Sequence, residues 1–259
     1  MEVHQHTHTP RKKWIHYFWE FLMLFLAVFC GFLAEYQLEH TIEHQREKQY
    51  MVTMLEDLKN DTTQLTESIS YWNNINNSID SVSDAIQFPP NNLDLPKAYR
   101  HLSNALNYYG FRFNDRTISQ LKNSGGFRLI RNKEVANRII IYDQLNTDPA
   151  VKIEGQHNQL YLNTLAIRNK VFVQEIINEV YRRYLYVPPP ASTDLWIDSF
   201  INKYKIPLTA ETYTALLFEF KNSLLALRKD FTNMQWAYDS ISRSANLLIP
   251  LIKEKYKLK

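Results

Sequence analysis

The residues best equipped for chemistry in this chain are His40, Glu43 and His44, within His40-Thr41-Ile42-Glu43-His44. The order H-x-x-E-H is the inverted zinc-peptidase pattern. On a helix, two histidines four residues apart share a face and could hold one zinc ion, with Glu43 beside them as a general base. Such an enzyme also needs a third ligand, a cleft that excludes water and groups that orient the ligands. Here the motif is flanked by Glu39, Gln45 and Arg46 and follows an apolar run by only a few residues. Juxtamembrane polarity accounts for it better than catalysis does. A metal-binding or pH-sensitive ring of histidines between subunits is the remaining alternative.

Other chemistries have weaker claims. The sequence holds no G-x-S-x-G, no Walker A loop and no G-x-G-x-x-G. Its single cysteine, Cys30, lies in the apolar run, so no intramolecular disulfide can form. His4, His6 and His8 alternate in a polar tail without a fourth ligand, and His101 and His157 stand alone. The aromatic pairs Tyr71-Trp72, Tyr108-Tyr109 and Trp236/Tyr238 could line a cleft, but at helical spacing they read as core. A net charge of +3 is too small to imply nucleic acid, and no basic stripe interleaves with aromatics, so no nucleic-acid partner is expected. The chain is expected to be no enzyme and to carry no cofactor.

The elements explain where these residues sit. Five glycines in 259 residues disfavour hairpins and phosphate loops, so an all-α fold is expected. Residues 1–13 form a polar tail. Trp14–Ala34 is long enough to cross a hydrocarbon core, which takes about 20 helical residues. Bulky Phe25, Phe29 and Phe32 fill the places where a signal-peptide cleavage site needs small residues, so the segment (14–36 with its flank) is expected to remain as a signal anchor. Arg11, Lys12 and Lys13 precede it and an acidic stretch follows. That bias predicts a single-pass protein of the cell inner membrane, with its N-terminus cytoplasmic and residues 37–259 periplasmic.

The anchor has two faces at 100° per residue. Phe18, Phe21, Phe25, Phe29 and Phe32 form one, suited to lipid. Glu20, Ala27, Gly31 and Ala34 form the other, where small residues let a second helix approach. Glu20 either packs against a partner there or reaches interfacial water.

Beyond the anchor the pattern predicts three long helices, about 35–86, 149–186 and 210–256. In the first, Leu55, Leu58, Leu65, Ile69, Trp72, Ile75, Ile79, Val82 and Ile86 recur at spacings of three and four, with Thr62 in one slot, as in a coiled-coil seam. Pro89-Pro90 and Pro188 to Pro190 are breaks. Shorter helices are expected at 97–109, 116–123, 133–146 (capped by Asn132) and 194–204. The last helix should kink at Pro250. Together these describe an N-terminal transmembrane helix continuing into a stalk, then an up-and-down bundle. If the first and last helices pair antiparallel, Lys253, Lys255, Lys257 and Lys259 return to headgroup phosphates; otherwise they form a solvated helix end.

Two stretches, WEFLMLFLAVFCGFLAEYQLEHTIEHQREKQYMVTMLEDLKND and ISQLKNSGGFRLIRNKEVANRIIIYDQL, resemble uncharacterised single-span bacterial inner-membrane proteins. In the second, Leu121, Ser124, Gly125, Leu129, Ile130 and Tyr142 carry the likeness. The resemblance implies an anchor and an all-helical exported domain, and brings no catalytic residues. The expected role is a membrane-anchored scaffold or interaction protein whose partners are the lipid bilayer and either its own copies, as a homo-oligomer, or another membrane protein. A periplasmic ligand sensor signalling laterally through its anchor, and an oligomeric pore subunit, are the alternatives.

Overall fold

A computed structural model describes residues 14–87, 93–107, 110–147, 154–184, 194–204 and 211–258. The tail with His4, His6 and His8, the two proline-rich breaks, Asp148-Pro149 and Lys259 lie outside them. The described residues are helical and contain no strand. In chain order the helices are α1 (Trp14–Ala85), α2 (Leu95–Ala105), α3 (Arg116–Asn123), a 3₁₀ turn (Gly126–Leu129), α4 (Lys133–Thr147), α5 (Glu154–Val171), α6 (Gln174–Tyr184), α7 (Asp194–Tyr204) and α8 (Glu211–Tyr256).

Helix α1 runs unbroken for 72 residues, about 108 Å at 1.5 Å per residue. It pairs antiparallel with α8 along most of the bundle. Lys221 Nζ donates to the Ile86 carbonyl at 2.7 Å, Arg228 Nη2 meets Asp80 Oδ2 at 2.8 Å, and Gln235 Nε2 donates to Asn73 Oδ1 at 2.8 Å. Trp72 and Phe231 rings lie 4.6 Å apart between them. Both helices bury residues at alternating spacings of three and four. In α8 these are Tyr213, Leu217, Phe220, Leu224, Leu227, Phe231, Met234, Tyr238, Ile241, Ala245, Leu248 and Ile252. A seam with that period keeps one face of each helix in contact over many turns. Helix α8 continues through Pro250, which has no N–H to donate within it.

The remaining helices pack around this pair. Helix α2 lies on α1, where Asn104 Nδ2 donates to Ser78 Oγ at 2.9 Å, and it also meets α6 and α7. Helices α4 and α5 lie on α8, while α3 and the 3₁₀ turn lie on α1. Gly125 sits at φ 64°, the left-handed region that favours glycine. A Cβ on Gly126 would come within 3.0 Å of Leu121 Cδ2 and 3.3 Å of the Tyr50 ring, so the paired glycines let the turn lie against α1.

Several boundaries differ from the sequence expectation. The run 149–186 is two helices, not one long helix. The chain breaks at Phe172-Val173, where Val173 N–H leaves the helical ladder and donates to Tyr99 Oη at 2.8 Å. The break puts Phe172 between Tyr99 and Phe220, edge-on to each at 5.2 Å. Helix α2 starts at Leu95 because Asp94 caps it, accepting from Lys97 N–H at 3.0 Å, and it stops at Ala105, short of the expected 109. Helices α3 and α7 keep the expected limits, and Asn132 Oδ1 caps α4 through Val135 N–H at 3.0 Å. Asn132→Ala removes that acceptor and is expected to destabilise the domain by about 1 kcal/mol, read from the midpoint of urea unfolding.

Candidate functional site

The buried seam of α1 begins at a carboxylate. Glu47 is 1% exposed and lies where three elements meet: α1, the segment between the 3₁₀ turn and α4, and the last turn of α8. Its Oε1 accepts from the Arg131 N–H at 2.7 Å and from the Tyr256 hydroxyl at 2.6 Å, while Oε2 lies 3.3 Å from His44 Nδ1. Burial, and the carboxylate that accepts from it, push the Tyr256 hydroxyl well above its ordinary pKa, so it remains a donor. One side chain thus ties both ends of the polypeptide's bundle to its middle.

The histidine motif is divided among different tasks here. His40 Nδ1 lies 2.8 Å from Arg131 Nη2, and the same nitrogen donates to the His40 carbonyl at 3.3 Å. A guanidinium can only donate, so His40 Nδ1 is the lone-pair partner. His44 is turned to Glu47. Glu43 lines a separate cleft of about 500 Å³ between α1 and the 3₁₀ turn, shared with Glu35, Glu39, Arg46 and Arg128. Among the described residues no group of three or more His, Cys, Asp or Glu side chains converges as a metal site.

Two more carboxylates follow about three and four turns later on α1. Asp57 Oδ2 accepts from the Thr117 N–H at 3.0 Å and from the Thr117 hydroxyl. Its Oδ1 stands 2.8 Å from Arg116 Nη2, a charge contact rather than an aligned hydrogen bond. Asp61 occupies the seam slot expected for Thr62. Its Oδ1 accepts from Asn114 N–H at 3.1 Å and its Oδ2 from the Tyr142 hydroxyl at 2.7 Å. Burial raises Asp61 from 3.8 to about 6, against the opposing effect of those two donors. On α2, burial and the neighbouring Arg100 and Lys97 push His101 down to about 4, so its ring is neutral at physiological pH.

The apolar part of α1 is long and apolar enough to cross a membrane, and none of that stretch is buried against the bundle. Phe21, Phe25 and Phe29 stack in sequence, with centroids 6.3 and 5.8 Å apart. Opposite them, a Cβ on Gly31 would meet nothing within 4 Å. Ala27 and Ala34 are equally exposed, and Glu20 lies 3.8 Å from His16 Nε2. The antiparallel pairing returns Lys253, Lys255 and Lys257 to the level of Glu47, about 20 Å along α1 from Ala34.

A second exposed apolar feature runs along α8. Phe218, Leu225, Trp236 and Leu247 are 55%, 40%, 67% and 57% exposed. Their spacings of 7, 11 and 11 residues keep them within about 20° of one line, in a row about 44 Å long. Trp236, expected in the core, is therefore on the surface, while Tyr238 is buried and its hydroxyl oxygen accepts from the Phe111 N–H at 3.1 Å.

Fold and exposed segment together define an all-α bundle carried on one candidate membrane-spanning helix. Compared with models of protein families, with curated proteins and with solved structures, the chain has no match.

Glu47, Asp57, Asp61 and the α8 row were not singled out by sequence reasoning. For Glu47 and Asp61 a signal existed: extending the three-and-four alternation through the polar residues lands on both. For the α8 row the signal was the 11-residue interval from Leu225 through Trp236 to Leu247, distinct from the buried seam.

Proposed function

We propose that this protein is a scaffold or interaction protein anchored by Trp14–Ala34 in the cell inner membrane, with its helical domain in the periplasm. There it oligomerises or docks onto another membrane or envelope component. The observation that carries this reading is the α8 row of Phe218, Leu225, Trp236 and Leu247. Leu225, Trp236 and Leu247 stand out to water about three turns apart along one line of α8, a spacing at which one long partner helix could touch all three. The resemblance to single-span inner-membrane proteins and the basic flank Arg11-Lys12-Lys13 support the location and the orientation.

Cross-linking mass spectrometry on intact membranes tests it. The expected result is a set of links from Lys221 and Lys229, which adjoin the row, to a second copy or to one other membrane protein. Trp236→Arg should reduce those links at least severalfold while leaving the bundle folded. A full-length protein that runs as a lone monomer in detergent and yields no such links would remove the reading.

A lateral sensor is the second reading, favoured by the unbroken course of α1 from the exposed segment into the core. Movement of the anchor on a partner through Ala27 and Gly31 would then move the bundle. Unchanged output in Ala27→Leu and Gly31→Leu would exclude it.

A further inference from the structure

We infer that the cleft beside Glu47 is a binding site for a phosphate group. The cleft measures about 390 Å³, and four cationic side chains line it: Lys48, Arg131, Lys255 and Lys257. Its one carboxylate, Glu47, is already engaged, with Oε1 on the Arg131 N–H and the Tyr256 hydroxyl and Oε2 facing His44. It therefore has little capacity left to neutralise the lysines. Lys255 shares Glu254 at 3.0 Å, with Glu134 also nearby. Lys48 and Lys257 form no ion pair among the described residues. Arg131 directs Nη2 at His40 and Nε toward Glu47 Oε2 at 3.8 Å, so Nη1 is the guanidinium donor these two contacts leave for a ligand.

The backbone adds to this field. Asn132, which lines the same cleft, is the cap of the 15-residue helix α4. The first N–H groups of a helix carry partial positive charge and favour anions. Lys257 takes a left-handed conformation, φ 50°, where α8 ends at the rim. A guanidinium and mobile ammonium groups around one opening suit a tetrahedral oxyanion, whose oxygens diverge toward several donors.

A phosphate could come from a lipid headgroup or from free phosphate. The inference rests on the membrane-anchored reading only for that choice. Arg131 reaches the level of His40, about 9 Å beyond Ala34, and headgroups extend roughly 5–8 Å past the hydrocarbon. Glu47, Lys255 and Lys257 lie about 20 Å beyond Ala34, so a headgroup would approach the cleft only from its Arg131 edge, and free phosphate is the nearer source.

The test uses the full-length protein in two settings. In nanodiscs of phosphatidylcholine, with or without phosphatidylglycerol, hydrogen exchange is followed over residues 44–48, 131–135 and 253–258. In detergent, inorganic phosphate is titrated and followed by phosphorus NMR. Protection that needs phosphatidylglycerol and resists competing phosphate supports a headgroup site, and binding of phosphate in detergent supports a free-phosphate site. In either case Lys48→Ala combined with Lys257→Ala should weaken binding about tenfold, with an unchanged urea midpoint because both side chains are exposed. Absence of protection and of phosphate binding, or an undiminished effect in the double variant, overturns the inference. Trp236→Arg should leave phosphate binding intact, so failure of the docking reading and failure of this site are separable.

Discussion

Replacing Glu47 by alanine will destabilise the folded domain by about 3 kcal/mol, a magnitude expected when one partner of a buried charged network is removed. The loss has identifiable parts. The Arg131 N–H and the Tyr256 hydroxyl each lose their carboxylate acceptor, at 2.7 and 2.6 Å, on the inner wall of the cleft. Burial has also kept Tyr256 protonated, so it cannot compensate by ionising. The last turn of α8 should loosen first, because Tyr256 is its hydrogen-bonded tie to α1. Chemical denaturation measures the total, and hydrogen exchange over residues 245–258 measures the local release. Glu47→Gln keeps an oxygen for the two donors and should lose about 1 kcal/mol. Equal losses in both variants would mean that the carboxylate's hydrogen bonds do not hold this junction.

The pH dependence of stability should change in Asp61→Asn. The folded chain holds this proton up to about pH 6, whereas an exposed aspartate releases it near 3.8. A group with its folded pKa raised contributes stability that is complete below about pH 4 and is lost as pH rises through about 6. A rise from 3.8 to about 6 corresponds to a linked change on the order of 2–3 kcal/mol. Asparagine has the shape and polarity of the protonated acid: its oxygen can accept from Asn114 N–H while its NH₂ donates to the Tyr142 oxygen. Urea unfolding at pH 4.5, 6 and 7.5 should therefore show the variant at least as stable as the parent at pH 7.5. The slope attributable to Asp61 between pH 4 and 6 should be missing. A parent and variant with parallel pH profiles would rule out Asp61 as the titrating group.

Much of the architecture was legible because it depends on local signals. The apolar run, the three-and-four alternation along α1, the Asn132 cap and the limits of α3 and α7 all follow from residue type and spacing. What was hidden depends on distant partners. Val171-Phe172-Val173 contains neither proline nor glycine, and it breaks the helix because a tyrosine 74 positions earlier receives the released N–H. Asp61 enters the seam instead of Thr62 because Asn114 and Tyr142 arrive to donate to it. Trp236 stays outside because the period of the buried face passes through Met234 and Tyr238. The histidine motif illustrates the same limit at the candidate site. Its spacing matched a zinc ligand pair, but Arg131 and Glu47, remote in sequence, give each ring a different partner.

The unbroken course of α1 also makes the angle between anchor and bundle a counted quantity. From Ala34 to Arg46 the helix carries few lateral supports, so its residues act as a vernier. Removing one of them would turn the α8 row by about 100° relative to the Ala27 and Gly31 face and lower the bundle by about 1.5 Å. Removing seven would restore the heading to within about 20° and bring the whole bundle about 10 Å nearer the anchor. The number of residues in one stretch thus sets heading and height together, and only steps of seven change the height with little change of heading.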